Sequence, residues 1–103
     1  MKYFIRVIDD SGNHLELVDG NIVKNEKIKV FIHRALLDNK LWCLSEFSTG
    51  TLIGFGRTKK DAINDFETHI KCVGYKKFHD RVKELIKKHG HANVEEKPKG
   101  AAR

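Results

Sequence analysis

The feature that most constrains how this chain can fold is a change of hydrophobic period at Gly56. Before it, apolar side chains recur at every second position, and after it at about every 3.6. "KYFIRVI" sets Tyr3, Ile5 and Val7 on one face against Phe4, Arg6 and Ile8, and stops at the turn-forming run Asp9, Asp10, Ser11, Gly12, Asn13. "HLELV" alternates Leu15 and Leu17 with His14 and Glu16 up to Asp19-Gly20, which predicts an antiparallel hairpin. "KIKVFIHRALL" places Ile28, Val30 and Ile32 opposite Lys27, Lys29 and Phe31, and the turns "DNK" and "STG" lead into "LWCLSEF" and "TLIGFG". The expectation is about five strands joined as a meander.

Beyond Gly56, Ala62, Ile63, Phe66 and Ile70 form one helical stripe. Thr58 is placed as its amino-terminal cap, with Asp61 completing a capping box. Gly74 supplies a left-handed stop, and Phe78, Val82, Leu85 and Ile86 form a second stripe ending at His89-Gly90. The predicted class is α+β, a mainly antiparallel sheet followed by two carboxy-terminal helices packed on one face. A length of 103 residues suits one such domain over 1–90. The segment 91–103, with one proline and no period, is expected to be a flexible tail.

The formal net charge is +6, and it is unevenly distributed. From Met1 to Gly56 seven Lys and Arg meet seven Asp and Glu, whereas from Arg57 to Arg103 there are thirteen against seven. Lys71, Lys76, Lys77, Arg81, Lys83, Lys87 and Lys88 face only Asp80 and Glu84 in the interval 71–91. Such a one-sided basic region suits a polyanion, because neutralised phosphates release condensed counterions. The same pattern also describes a solvated lysine-rich helix face.

The joint "GTLIGFGRTKKDA" between strand and helix invites comparison with phosphate-binding loops. A nucleotide-hydrolase loop needs Lys followed by Ser or Thr after its last glycine, and here Arg57 and Thr58 precede Lys59. The spacing of Gly50, Gly54 and Gly56 after antiparallel strands also fails the dinucleotide fingerprint. In "IGFGRT", Ile53 and Arg57 stand where an RNA-recognition strand has a basic and an aromatic residue. Gly54, Gly56, Thr58, Lys59, Lys60 and Ala62 do resemble the strand and helix signature that ends the double-stranded RNA-binding domain. That resemblance implies that Lys59 and Lys60 grip phosphates across a groove. The stretch 42–66, from Trp42 through "GRTKKDAINDF", is similar to the hairpin and helix of HicB-type antitoxins, with Asp61 in place of a glutamate. Lysines in a first helical turn oppose the helix dipole, which fits either an anion site made with Arg57 or a solvent-screened mismatch.

Six histidines and the thiols Cys43 and Cys72 provide no sequence arrangement that pairs a nucleophile with a base, and no catalytic residue is assigned. His69-x-x-Cys72 and His89-Gly90-His91 lack the two tight ligand pairs of a structural zinc site, so no metal or cofactor is expected. Tyr3 and Trp42 are expected to pack on the sheet. Two cysteines and a charged beginning without a hydrophobic leader suggest a cytoplasmic protein with no membrane association. These readings lead to a non-enzymatic binding module. Its expected partner is nucleic acid, held by Arg57, Lys59, Lys60, Lys76, Lys77, Arg81, Lys83, Lys87 and Lys88. The alternative is a protein-binding inhibitor, antitoxin-like or an anti-defence factor of mobile-element, phage-like type, acting on a nucleic-acid-handling protein. Oligomeric state is not legible.

Overall fold

The computed structural model of the chain describes residues 1–23, 25 and 27–94. The strands are β1 (Lys2–Asp9), β2 (Gly12–Val23), β3 (Val30–Arg34), β4 (Trp42–Glu46) and β5 (Leu52–Gly56). Two helices follow, α1 (Lys59–Val73) and α2 (Tyr75–His89). The sheet order is β1-β2-β3-β4-β5, antiparallel throughout, as the period-two runs and short turns predict. The sheet curls into a half-barrel. Its curl brings β1 back to the β4–β5 connection, where the Arg6 N–H donates to the Gly50 carbonyl at 2.9 Å.

Gly20 ends no strand, although Asp19-Gly20 reads as a turn. β2 runs through it to Val23, pairing first with β1 and then with β3. A Cβ at Gly20 would lie 3.0 Å from the Ile32 carbonyl oxygen and 3.2 Å from the Phe31 ring, so the glycine permits close approach inside the curl.

That curl gives β3 two buried faces. Val30 and Ile32 join Ile28, Leu44, Ala62, Phe66, Ile70 and Phe78 in a core beneath the helices. Phe31, expected opposite that core on a face shared with lysines, is itself fully buried with Tyr3, Ile5, Val18 and Phe47. Tyr3 packs on Phe31 with ring centroids 4.9 Å apart and planes tilted by 31°. Single-strand periodicity cannot show that a distant hairpin will cover the second face.

α1 lies close on β5 because glycines face it. A Cβ on Gly54 would stand 2.9 Å from Phe66 Cβ and from the Ala62 carbonyl oxygen, and one on Gly56 would stand 2.6 Å from Asp61 Cβ. The Gly-x-Gly of the joint is thus a packing device. Gly74 alone links the helices, with a φ of 87° and its N–H donated to the Ile70 carbonyl at 2.7 Å.

In the segment expected to be a flexible tail from His91, the first described residues make contacts with the sheet and the β4–β5 connection. Ala92 is buried and its N–H donates to the Ser48 carbonyl at 2.6 Å. The Asn93 side chain accepts from the Phe4 N–H at 2.8 Å and donates to the carbonyls of Phe4 and Phe47 at 2.9 and 2.8 Å. An amide carries both a donor and an acceptor, so Asn93 imitates a neighbouring strand, and hydropathy does not signal this. The remainder of that expected tail, 95–103, lies outside the described residues.

Candidate functional site

The sequence nominates a single basic patch, formed if the Lys87 and Lys88 end of α2 folds back beside the start of α1. The structure separates the two. Arg57, Lys59 and Lys60 are exposed at the β5–α1 joint. There Thr58 caps the helix by accepting the Asp61 N–H at 3.0 Å. Lys59 Nζ lies 4.7 Å from the centre of the Trp42 indole, and the Arg34 guanidinium lies 3.8 Å from the same ring. Trp42 begins β4. The far end of α2 instead approaches the β4–β5 turn, where Lys88 and His89 share a groove with Arg6, Asn13 and Thr49. β4 alone separates its two ends by ~13 Å. The separation follows from docking: Phe78 anchors α2 beside Ile70, and Ala92 and Asn93 fasten the chain beyond α2 to Ser48, Phe4 and Phe47.

α2 itself displays charge. Lys76, Lys77, Arg81, Lys83, Lys87 and Lys88 are all exposed, and Phe78 is its one buried side chain. Lys76 pairs with Asp80 at 3.3 Å and Arg81 reaches Glu84 at 4.0 Å, both along the helix and in water, where such pairs contribute little. The helix divides its cations between two flanks. Lys77, Arg81 and Lys88 line the groove, whereas Lys76, Lys83 and Lys87 do not.

That groove, of about 840 Å³, lies between α2 and the ends of β1 and β5. Val82 and Leu85 of α2 face Ile8 of β1 and Leu52 and Ile53 of β5 across it. Ile8 and Leu52 remain 79% and 52% exposed. Cations stand on both walls, Lys77, Arg81 and Lys88 on α2 and Arg6 on β1. Arg6 is fixed by hydrogen bonds to Asn13 Oδ1 at 2.8 Å and the Thr49 carbonyl at 3.2 Å. Of the lining carboxylates, Glu46 is buried and accepts from the Ser48 and Thr49 N–H groups and the Thr49 hydroxyl, which keeps it inside its own turn.

Sequence reasoning missed Arg6, Ile8 and Leu52 as site residues. The signal was present, since β1 carries apolar residues on both faces and a strand covered on one side only should not. Both outer edges of the sheet are partly occupied. Asn93 takes the Phe4 N–H and carbonyl on β1, and Asp65 accepts the Phe55 N–H on β5 at 3.1 Å.

Two of the groups that could serve as base or nucleophile, His33 and Cys43, are buried. His33 is buried beside Phe31, with Nδ1 at the Arg34 carbonyl and Nε2 at Ser45 Oγ, each 2.8 Å. Burial lowers its pKa below the usual 6.5, although the carbonyl partly opposes this. Burial pushes the Cys43 thiol up, away from the thiolate a nucleophile needs. Among the described residues, no three His, Cys, Asp or Glu side chains converge as a metal site. No helix among them is long and apolar enough to cross a membrane.

No protein-family model, curated protein or solved structure matches the chain.

Proposed function

We propose that the chain is a non-enzymatic binding module for a polyanion, nucleic acid held through its phosphates, with α2 as the main contact element. The observation that supports this is the exposure of six cations on a helix of 15 residues that buries one side chain. Cations four apart, as in Lys77 and Arg81 or Lys83 and Lys87, repel one another and so do not serve the helix's own stability. Arg57, Lys59 and Lys60 form a second, separate contact.

A titration against duplex DNA, duplex RNA and single strands at two salt concentrations tests the reading. Affinity should fall regularly with salt, and removal of one contacting lysine should lower the slope of log affinity against log salt by roughly 0.7 to 0.9. Absence of binding to every one of these at low salt would rule it out.

The groove favours a second reading, in which the partner is a protein and the chain acts as a small inhibitor, antitoxin-like or directed at a nucleic-acid-handling protein. Exposed aliphatic side chains such as Ile8 and Leu52 contribute nothing to gripping phosphate, but they suit the apolar centre of a protein interface. Binding of that kind should persist at salt concentrations that abolish phosphate contacts.

A further inference from the structure

We infer that the groove between α2 and the ends of β1 and β5 receives an amphipathic helix of a protein partner, anchored by aliphatic side chains and flanked by carboxylates. The inference rests on the protein-binding reading. Three observations select this occupant.

Charge complementarity is the first. Arg81 is four positions from Lys77 and seven from Lys88, so these cations run along one wall for ~16 Å, about three helical turns, and outnumber the one carboxylate on that wall, Glu84, which lies 4.0 Å from Arg81. Arg6 stands on the facing wall, held by Asn13 and Thr49. A helix with Asp or Glu on both sides of an apolar stripe matches those walls. Such a helix presents anchors at i, i+4, i+7 and i+11 over the same length. A second copy of this chain, with a net charge of +6, does not.

The second observation is the state of the sheet edges. A partner could instead add a strand beside β1 or β5, but the Phe4 N–H and carbonyl are taken by Asn93, and the Phe55 N–H by Asp65. An added strand would have to displace these contacts, whereas the groove is open to side chains as it stands.

The third is the chemistry of the floor. Ile8, Leu52, Ile53, Val82 and Leu85 are aliphatic, and Phe78 is only 6% exposed. Among the described residues lining it, no exposed aromatic ring is offered on which bases could stack, so the floor suits Leu or Ile anchors better than a single strand of nucleic acid.

The probe is a fluorescein-labelled synthetic peptide of about five helical turns, with Leu at i, i+4, i+7 and i+11 and Glu on both flanks. It is compared by anisotropy with a scrambled peptide of the same composition and with a single-stranded oligonucleotide. The patterned peptide should bind at least tenfold tighter than the scramble. Arg81→Glu with Lys88→Glu, and separately Leu85→Asp, should each weaken it at least tenfold while circular dichroism shows the protein still folded at the assay temperature. Equal binding of patterned and scrambled peptides would overturn the proposal, as would indifference to these substitutions or no binding at all. Preference of the groove for the oligonucleotide would do the same, and so would sedimentation as a dimer that buries Leu85. Lys59→Glu with Lys60→Glu, remote from the groove, should leave peptide binding intact while weakening nucleic acid, so failure of one reading is distinguishable from failure of the other.

Discussion

The two helices have the same length and comparable amphipathic patterns, yet the fold uses them differently. α1 buries Ala62, Phe66 and Ile70 against a sheet whose glycines let it approach. α2 buries Phe78 and leaves Val82, Leu85 and Ile86 half-buried. An apolar stripe is therefore no measure of burial. What decides burial is whether the opposing surface can come close, and α2 has a groove beneath it instead of a sheet. α1 reads as scaffold and α2 as display.

The contrast is tested most severely by placing the same charge on each helix. Phe66→Asp should abolish folding, at a cost above about 4 kcal/mol, because a carboxylate would be stranded where Phe66 is 1% exposed. Leu85→Asp should cost under about 1.5 kcal/mol, since its side chain already reaches the groove and water. The two helical stripes read from the sequence treat both positions alike, as packed on the sheet. Comparable denaturant midpoints for the two variants would break the contrast.

Next in size is Gly54→Ala, expected to cost about 1 to 3 kcal/mol as the new methyl forces α1 from β5. The same change at Gly90, where a Cβ meets nothing within 4 Å but φ is 79°, tests conformational strain without crowding and should cost about 1 kcal/mol. Equal thermal shifts would show that close helix packing does not hold α1.

Asn93→Ala should cost about 1 kcal/mol through its lost hydrogen bonds. Hydrogen exchange should rise at the end of α2 and along β1 while α1 stays protected. Uniform loss of protection would mean that α2 is not separately fastened.

Acid should act on the sheet that both helices share. Because the folded pKa of His33 lies below its unfolded value of 6.5, the unfolded chain takes up the proton first. Stability is complete above that value and declines as pH falls from about 6.5 towards the folded pKa. His33→Gln should flatten this part of the stability profile in urea titrations at several pH values.

The smallest effects lie at the joint. Lys60→Glu should raise stability by a few tenths of a kcal/mol at the amino end of α1. Lys59→Glu should fail to do so, because it also gives up the Trp42 contact, typically about 0.5 to 1 kcal/mol at an exposed site. Identical melting temperatures for the two would show that the indole contact is energetically silent.

By itself the sequence determined the elements: the strand period up to Gly56, the cap at Thr58, the break at Gly74 and the face Ala62, Phe66, Ile70 are local, because each depends on neighbours within a few residues. It also determined that α2 is basic. Tertiary structure alone decided that β3 is buried on both faces, that Gly20 marks a curl, that Asn93 serves as a strand partner, and that the Lys88 end of α2 lies by the β4–β5 turn rather than beside Lys59 and Lys60. Each of these depends on contacts between residues distant in the chain, whose closure periodicity does not encode. The groove belongs with them, since Arg6, Leu52 and Leu85 come together only when the curled sheet and the fastened end of α2 place them there.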